Sequence, residues 1–477
     1  MKKIKVILFI FSLFLFTSCD KDFETVNTDP NNPLSIRADL LMSGIIRSTQ
    51  TASYQMFGDN GATWSQQISQ VEYVTEERYI PRTGTVNNTW GVSYTAVIKE
   101  AREMAKFAKE EKNTKLEAAA IVLEVNAFQT LTDVFGPIPY SEACVKGNYK
   151  PKYDSQEFIY KDLIKKLDDA ITLFDVTDNS LIPAQVDLIF NGNVSKWKKF
   201  AYSMKLRALM RISKAPGVNN ASAIQTVVSS GNLMSSDADT AKIFNLTDQA
   251  NAHPFFATLG NRKEYKVSSV LVAKCNEYND PRLAIFAEKN NANIFVGNNP
   301  GADTRNYPGT SAIGAFYKKA NLASILLSYS QVQLLLAEAA NEGYIANPIV
   351  GGVSQAVQYM RNGIEANFIY NGLSAASATA YSAQPSLIFT TQTTGKKIIA
   401  EQVWLSTFCQ GFEPWTEWRR TGFPTLTPVI SATQPSIPSR YPYAPLESSV
   451  NQVNYSAAVA TLANGDTVIS KLWWDVN

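Results

Sequence analysis

Ser328-Tyr329-Ser330-Gln331-Val332-Gln333-Leu334-Leu335-Leu336-Ala337-Glu338-Ala339-Ala340 decides the fold class. Val332, Leu335, Leu336 and Ala339 recur at helical spacing, so one face of a helix is apolar. Ser328 with Gln331 has the form of a capping box, and Gly343 is a natural stop. A second helical pattern follows from about Val353 to Phe368 after a short connection, so the two segments predict an antiparallel pair.

The same periodicity extends through the chain. Leu41, Ile45, Ala52 and Met56 share one face. Leu116, Ala120, Leu123, Ala127 and Leu131 form a second stripe, halted by Gly136-Pro137. Ile159, Leu163, Leu167, Ile171 and Phe174 form a third, with Asp154 and Glu157 read as its N-terminal cap. Trp197, Phe200, Ala201, Met204 and Ala208 form a fourth. Tyr94–Phe135 reads as another helical pair, and these pairs resemble degenerate tetratricopeptide units. Strand signals are weak, the best being Val186–Phe190 and Thr467–Trp474. The expected fold is mostly α: one compact domain of tetratricopeptide-like helix pairs. Long irregular segments interrupt it at Glu76–Trp90, Asn290–Gly314, Ser374–Gly395 and Pro424–Pro445. Loops of this length often bind ligands.

The N-terminus carries an address. Lys2, Lys3 and Lys5 precede an apolar run, Val6–Phe16, then Thr17-Ser18-Cys19. The run is too short to span a bilayer and suits a signal peptide. Small residues before Cys19 are similar to a bacterial lipobox, which predicts cleavage before Cys19 and its lipidation. The expected division is a signal over 1–18, a tether over 19–35 rich in Asp, Asn and Pro, and a binding domain over 36–477. No later segment reads as a transmembrane helix, so the lipid is the expected membrane anchor.

The chain has 477 residues, with 44 Lys and Arg against 42 Asp and Glu. Processing would remove three lysines and no acid, leaving 41 basic residues against 42 acidic. No basic stripe is sustained, which argues against nucleic acid. Cys144, Cys275 and Cys409 lie far apart, and His253 is the single histidine. That inventory argues against a disulfide framework and a zinc site. It also excludes a triad built on any other histidine, and His253 itself reads as a packed loop residue. No nucleotide or calcium motif is present, so no cofactor is expected.

Several motifs, in order along the chain, resemble SusD/RagB-type nutrient-binding outer-membrane lipoproteins. Asp133-Val134-Phe135-Gly136-Pro137-Ile138-Pro139-Tyr140 is similar to a family signature. Trp197–Ala201 with Lys205–Arg207 and Met210–Ser213, Asp280–Leu283 and Leu335–Ala339 match further. Gly411–Gly422, Arg440–Tyr443 and Lys471–Asp475 complete the set. The resemblance implies a non-enzymatic surface lipoprotein on the outer membrane, capping a SusC-like TonB-dependent barrel as a mobile lid. It would deliver an oligosaccharide, or in some relatives a peptide. A stand-alone glycan binder, a glycoside hydrolase and a purely structural scaffold are the alternatives.

Glu413, Trp415, Glu417, Trp418, Arg419 and Arg420 admit a glycosidase-like carboxylate pair, but read first as a buried ion-pair network. Asp133 and Glu142 read as structural too. Lys196, Lys198, Lys199, Lys205, Arg207 and Arg211 read as a solvated face, with lipid or barrel contact as alternatives. Sugar recognition needs aromatic planes for C–H faces and polar groups for hydroxyls. Those groups mix at loop positions in Glu72–Arg82, Asn87–Trp90 and Asp303–Tyr307. The expected ligand residues are Tyr73, Arg78, Tyr79, Asn88, Trp90, Arg305 and Tyr307, with packing beneath the loops as the alternative for Tyr79 and Trp90.

Overall fold

The computed structural model describes residues 36–54 and 61–477. Cys19, the tether and Met56 lie outside the described residues.

The helices that set the frame are α1 (Asp39–Tyr54), α2 (Thr83–Val92), α3 (Lys99–Glu110), α4 (Thr114–Phe135), α5 (Gln156–Asp175) and α6 (Val194–Arg211). They continue with α7 (Pro254–Asn261), α8 (Tyr329–Asn341), α9 (Gln355–Tyr370), α10 (Gln392–Ser406) and α11 (Glu413–Thr421). A π-helical turn, Ser93–Ile98, joins α2 to α3. Helices α3, α4, α5 and α6 pack in succession, α8 packs on α9 and α10, and residues Ala38–Asn477 form one compact unit. The short strands β1 (Ile68–Gln70), β2 (Ala241–Ile243), β3 (Tyr265–Val267) and β4 (Ser324–Leu327) pair antiparallel as β1–β3 and β2–β4. Two further pairs of two-residue strands, Ile138–Pro139 with Tyr153–Asp154 and Ile349–Val350 with Val353–Ser354, act as local clasps. The fold is therefore mostly α, as the periodicity predicts.

The apolar stripes are the core. Leu116, Ala120, Leu123 and Leu131 of α4 are fully buried, as are Ile159, Leu163 and Leu167 of α5 and Trp197, Phe200 and Met204 of α6. Such side chains contribute roughly 1.5–3 kcal/mol each on burial. Contrary to expectation, α4 is long and apolar enough to cross a membrane, but it is nine-tenths buried inside the bundle. Its two buried carboxylates are both paired: Glu124 with Arg102 at 2.7 Å and Lys166 at 3.2 Å, and Asp133 with Arg211 at 3.4 Å. Gly136 ends α4 at φ +91°, a conformation that leaves little room for a side chain.

Several local expectations change. Ser155, not Asp154, caps α5 by accepting from Phe158 N; Asp154 instead accepts from the Ser141 N–H and hydroxyl at 2.7 Å each. Val186–Phe190 is no strand. Asp187 folds it into a turn by accepting from Ile189 N, Phe190 N, Gly192 N and Trp197 Nε1. Thr467–Trp474 is likewise turns and irregular backbone. The Ser374–Gly395 segment is not irregular: Ser374 caps a helix over Ala375–Ser382 and Thr391 caps α10. Its Ser and Thr residues are helix starts rather than loop filler. Thr83–Val92 is helical too.

Candidate ligand site

Three irregular segments converge on one face: 71–82, 290–314 and 423–439. They are fastened by backbone hydrogen bonds, because buried N–H and C=O groups outside regular elements still need partners. Arg305 N donates to Val71 O at 2.7 Å, Ile430 N to Pro300 O at 2.9 Å, and Thr433 N to Arg78 O at 3.1 Å. Side chains complete the seams. Arg78 Nε donates to Gly301 O at 2.8 Å, and Asn298 Nδ2 to Ser69 Oγ and Gln70 O at 2.9 Å each. Gly301, at φ +81°, sits where a Cβ would lie 2.3 Å from Ile430 O, so glycine permits this crossing.

On this platform Tyr73 is 61% exposed. The Arg305 side chain is 70% exposed and lies 3.4 Å from Asp303 and 3.9 Å from Glu72. The Tyr307 hydroxyl donates to Glu72, a bond that pushes its phenol up to about 12 and keeps it a neutral donor. Aromatic rings thus stand beside a carboxylate and a guanidinium, the chemistry that a sugar ring with hydroxyls requires. Tyr73, Tyr79 and Arg305 hold φ of 60°, 78° and 49°. Non-glycine residues there are strained and concentrate at functional sites.

The structure brings together Tyr73, Arg78, Arg305 and Tyr307. Tyr79 lies beneath them, 1% exposed. Its hydroxyl accepts from Val429 N at 2.9 Å, and burial pushes its pKa up to about 12. Asn88 and Trp90 do not stand on a loop but on α2. Trp90 is 8% exposed, with its ring among Tyr94, Phe135, Tyr153 and Tyr443. Asn88 is half-buried on the same helix. Two contributors escape the sequence reading as site residues: Glu72, and the basic wall Arg262-Lys263 with Lys266 beside Tyr307. The only sequence signal for that wall was a basic pair followed by Tyr265-Lys266.

The acidic motif near the C-terminus is a structural hub. Arg211, 2% exposed, binds Glu413 and Glu417 at 2.7 Å each and lies 3.4 Å from Asp133. Burial pushes the Glu413 carboxyl up, but Arg211 and Arg207 outweigh it and hold the group at about 2. Arg420 forks onto Glu338 with two bonds of 2.6 Å and also takes Glu417. Arg419 stacks 3.6 Å from the Trp415 ring and donates to Asp133 O. The Gly136-Pro137 turn is clamped by Arg440 Nε to Phe135 O at 2.9 Å and the Tyr443 hydroxyl to Pro137 O at 2.7 Å. These carboxylates are occupied by guanidiniums, which is the geometry of a packed network. Along α6 the expected solvated face is partly internal. Arg207 and Arg211 are buried, while Lys198, Lys199 and Lys205 pair with Asp175, Asp239 and Asp168. His253 is the N-cap of α7, its Nδ1 accepting from Phe255 N at 3.2 Å, and burial lowers its pKa to about 3.

A family profile described as SusD-like, starch-binding and associating with the outer membrane matches residues 30–444. The chain therefore belongs to the SusD-like family. A chitin-binding protein of solved structure superposes with a TM-score of 0.80 at 26% identity, covering 92% of this chain and 99% of that one. A chitin-binding SusD homologue from Flavobacterium johnsoniae gives 0.78 at 22% identity, with 91% and 99% covered. A SusD homologue from Bacteroides fragilis gives 0.78 at 24%, with 92% and 99% covered. No curated protein matches the chain.

Proposed function

We propose that the protein is a cell-surface, outer-membrane lipoprotein that binds an oligosaccharide and passes it to a SusC-like TonB-dependent barrel, without making or breaking bonds. The observation that carries the reading is the three-loop platform, on which Tyr73, Tyr307, Glu72 and Arg305 are held together by backbone seams. Pre-organised loops bind with a smaller ordering cost than free ones. Membership of a starch-binding family and the likeness to a chitin-binding protein favour a glycan over a peptide.

In this reading residues 1–18 are removed, Cys19 carries the lipid, residues 19–35 tether the protein, and residues 36–477 form the binding domain. The domain acts as a lid that closes on the barrel once loaded. Ligand drives closure only if it makes contacts that differ between the open and closed states. Titration of the mature-length soluble chain with malto- and chito-oligosaccharides and mixed peptides tests the binding step. Saturable sugar binding weakened by Tyr73→Ala and Arg305→Ala supports it. Peptide binding alone would transfer the site to peptides, and no binding of either class would leave a scaffold. Co-purification of a large barrel with the full-length protein tests the delivery step, and its absence would favour a stand-alone binder.

A further inference from the structure

Next to the platform lies a cleft of about 540 Å³, walled by Arg262, Lys263, Lys266 and Lys318 with Tyr265 and Tyr307. Its volume is in the range of small-ligand sites. Two of the four cations have local carboxylates: Arg262 with Glu264 at 2.5 Å and Lys318 with Glu288 at 2.6 Å. Glu72 of the platform is taken by Tyr307 and faces Arg305. Among the described residues, neither Lys263 nor Lys266 has a carboxylate within ion-pair distance.

Lys266 is the informative one. It sits on β3, paired across to β1, and is 5% exposed. Its ammonium donates to Tyr307 O at 3.0 Å and stands 5.8 Å from the Tyr307 ring centroid. An ammonium has three donors, so two remain at the cleft wall. A buried cation whose partners are a carbonyl and an aromatic ring is electrostatically incomplete. Burial and the Lys318 charge depress its pKa, against the pull of Glu288. Lys263 adds an exposed cation on the same wall. An anion in the cleft would take charge-assisted hydrogen bonds from both lysines.

We propose that this cleft is an anion subsite of the ligand site, taking a carboxylate or sulfate carried by the glycan. The cargo is then an acidic oligosaccharide, such as a uronate-containing or sulfated one, and Tyr307 links the sugar-stacking platform to the charged pocket. The inference rests on the reading of the platform as the glycan site.

The test is calorimetric titration of the mature-length protein with four probes: oligogalacturonate, a sulfated galactan oligosaccharide, neutral malto- and chito-oligosaccharides, and oligoglutamate. One of the two acidic sugars should bind about tenfold or more tighter than the neutral ones, and should weaken with added salt. Which of them binds distinguishes carboxylate from sulfate. Lys266→Gln should lower that affinity about tenfold, and Lys263→Glu should lower it too. In both variants the acidic sugar should lose more affinity than the neutral ones do. Lys263 is exposed, so its variant reads the site even if Lys266→Gln disturbs β3. Neutral sugars binding as tightly as acidic ones, or acidic binding indifferent to both variants, would overturn the anion subsite and leave the glycan reading standing. Oligoglutamate outbinding every sugar, or no sugar binding at all, would overturn both.

Discussion

Gly301→Ala strikes the seam on which the candidate site depends. Gly301 occupies φ +81°, and an added Cβ would lie 2.3 Å from Ile430 O and 3.0 Å from Ile430 N. The backbone conformation costs about 1–2 kcal/mol for an L-residue. The collision is with backbone, not with a flexible side-chain end, and overpacking of that kind adds about 1–3 kcal/mol. The sum, roughly 2–5 kcal/mol, exceeds the worth of the nearby seam. Between 423–439 and 290–314 that seam is Ile430 N to Pro300 O, about 0.5–1.5 kcal/mol net. The 423–439 segment should therefore lift from 290–314 before the helical core yields. Hydrogen exchange should show faster exchange at the Ile430 and Thr433 amides with α4–α6 protection unchanged. Chemical denaturation should show less destabilisation than the full sum, and glycan affinity should fall. Gly44→Ala is the control: it lies within α1 with no atom within 4 Å of a new Cβ, and should stabilise by about 0.5–1 kcal/mol. Wild-type exchange, stability and affinity in Gly301→Ala would refute the reasoning.

Other consequences follow from the buried charges and the anchor. Arg420→Ala strips both Glu338 and Glu417 of their fork, and should cost about 3–5 kcal/mol in denaturant unfolding; Glu338→Gln in the same background should recover part of the loss. Glu77 is fully buried beneath the platform, and burial raises its carboxyl pKa to about 7 against 4.5. A raised folded pKa means the folded state holds its proton longer. This contribution is complete below about pH 4.5 and is lost as pH rises through 7, on the order of 3 kcal/mol in all. Glu77→Gln should flatten that part of the stability–pH curve. His253 acts in the other direction: its folded pKa of about 3 gives stability present above 6.5 and lost as pH falls towards 3. An Asn at 253, which keeps a cap, should remove that acid-side slope in thermal melts. Cys19→Ser should move the protein from the membrane fraction to the soluble fraction of cells; unchanged membrane association would refute lipid anchoring.

The helices were legible because their apolar residues recur every three or four positions and the bundle buries those faces. The α4, α5, α6 and α8 stripes illustrate this. Caps and turns were less legible, since Ser155 and Asp154 are adjacent and both can cap; which does so depends on whether Ser141 is nearby. Asp187 shows the same limit: an apolar run around one acid looked like a strand until that acid gathered four N–H donors. At the candidate site, the sequence pointed to loops 71–82 and 303–307 but not to their meeting, which Val71 O, Glu72 and Gly301 create from residues more than two hundred positions apart. Asn88 and Trp90 looked like loop residues because Thr83-Gly84-Thr85 and two asparagines carry little helical signal. Packing of Trp90 against Phe135 and Tyr443 overrides that weak propensity. Lys266 was not legible because its significance is an electrostatic vacancy around a buried ammonium, and spacing along the chain does not record which acids are out of reach.

The measurement that tests the central claim most directly is calorimetric titration of an oligosaccharide panel into the mature-length protein and its Tyr73→Ala variant. The account predicts saturable binding of at least one sugar, weakened by about tenfold or more in the variant with the fold intact by circular dichroism. Sugar binding of equal strength in both proteins would move the site away from the three-loop platform. No sugar binding, with the protein folded, would contradict the nutrient-binding account itself.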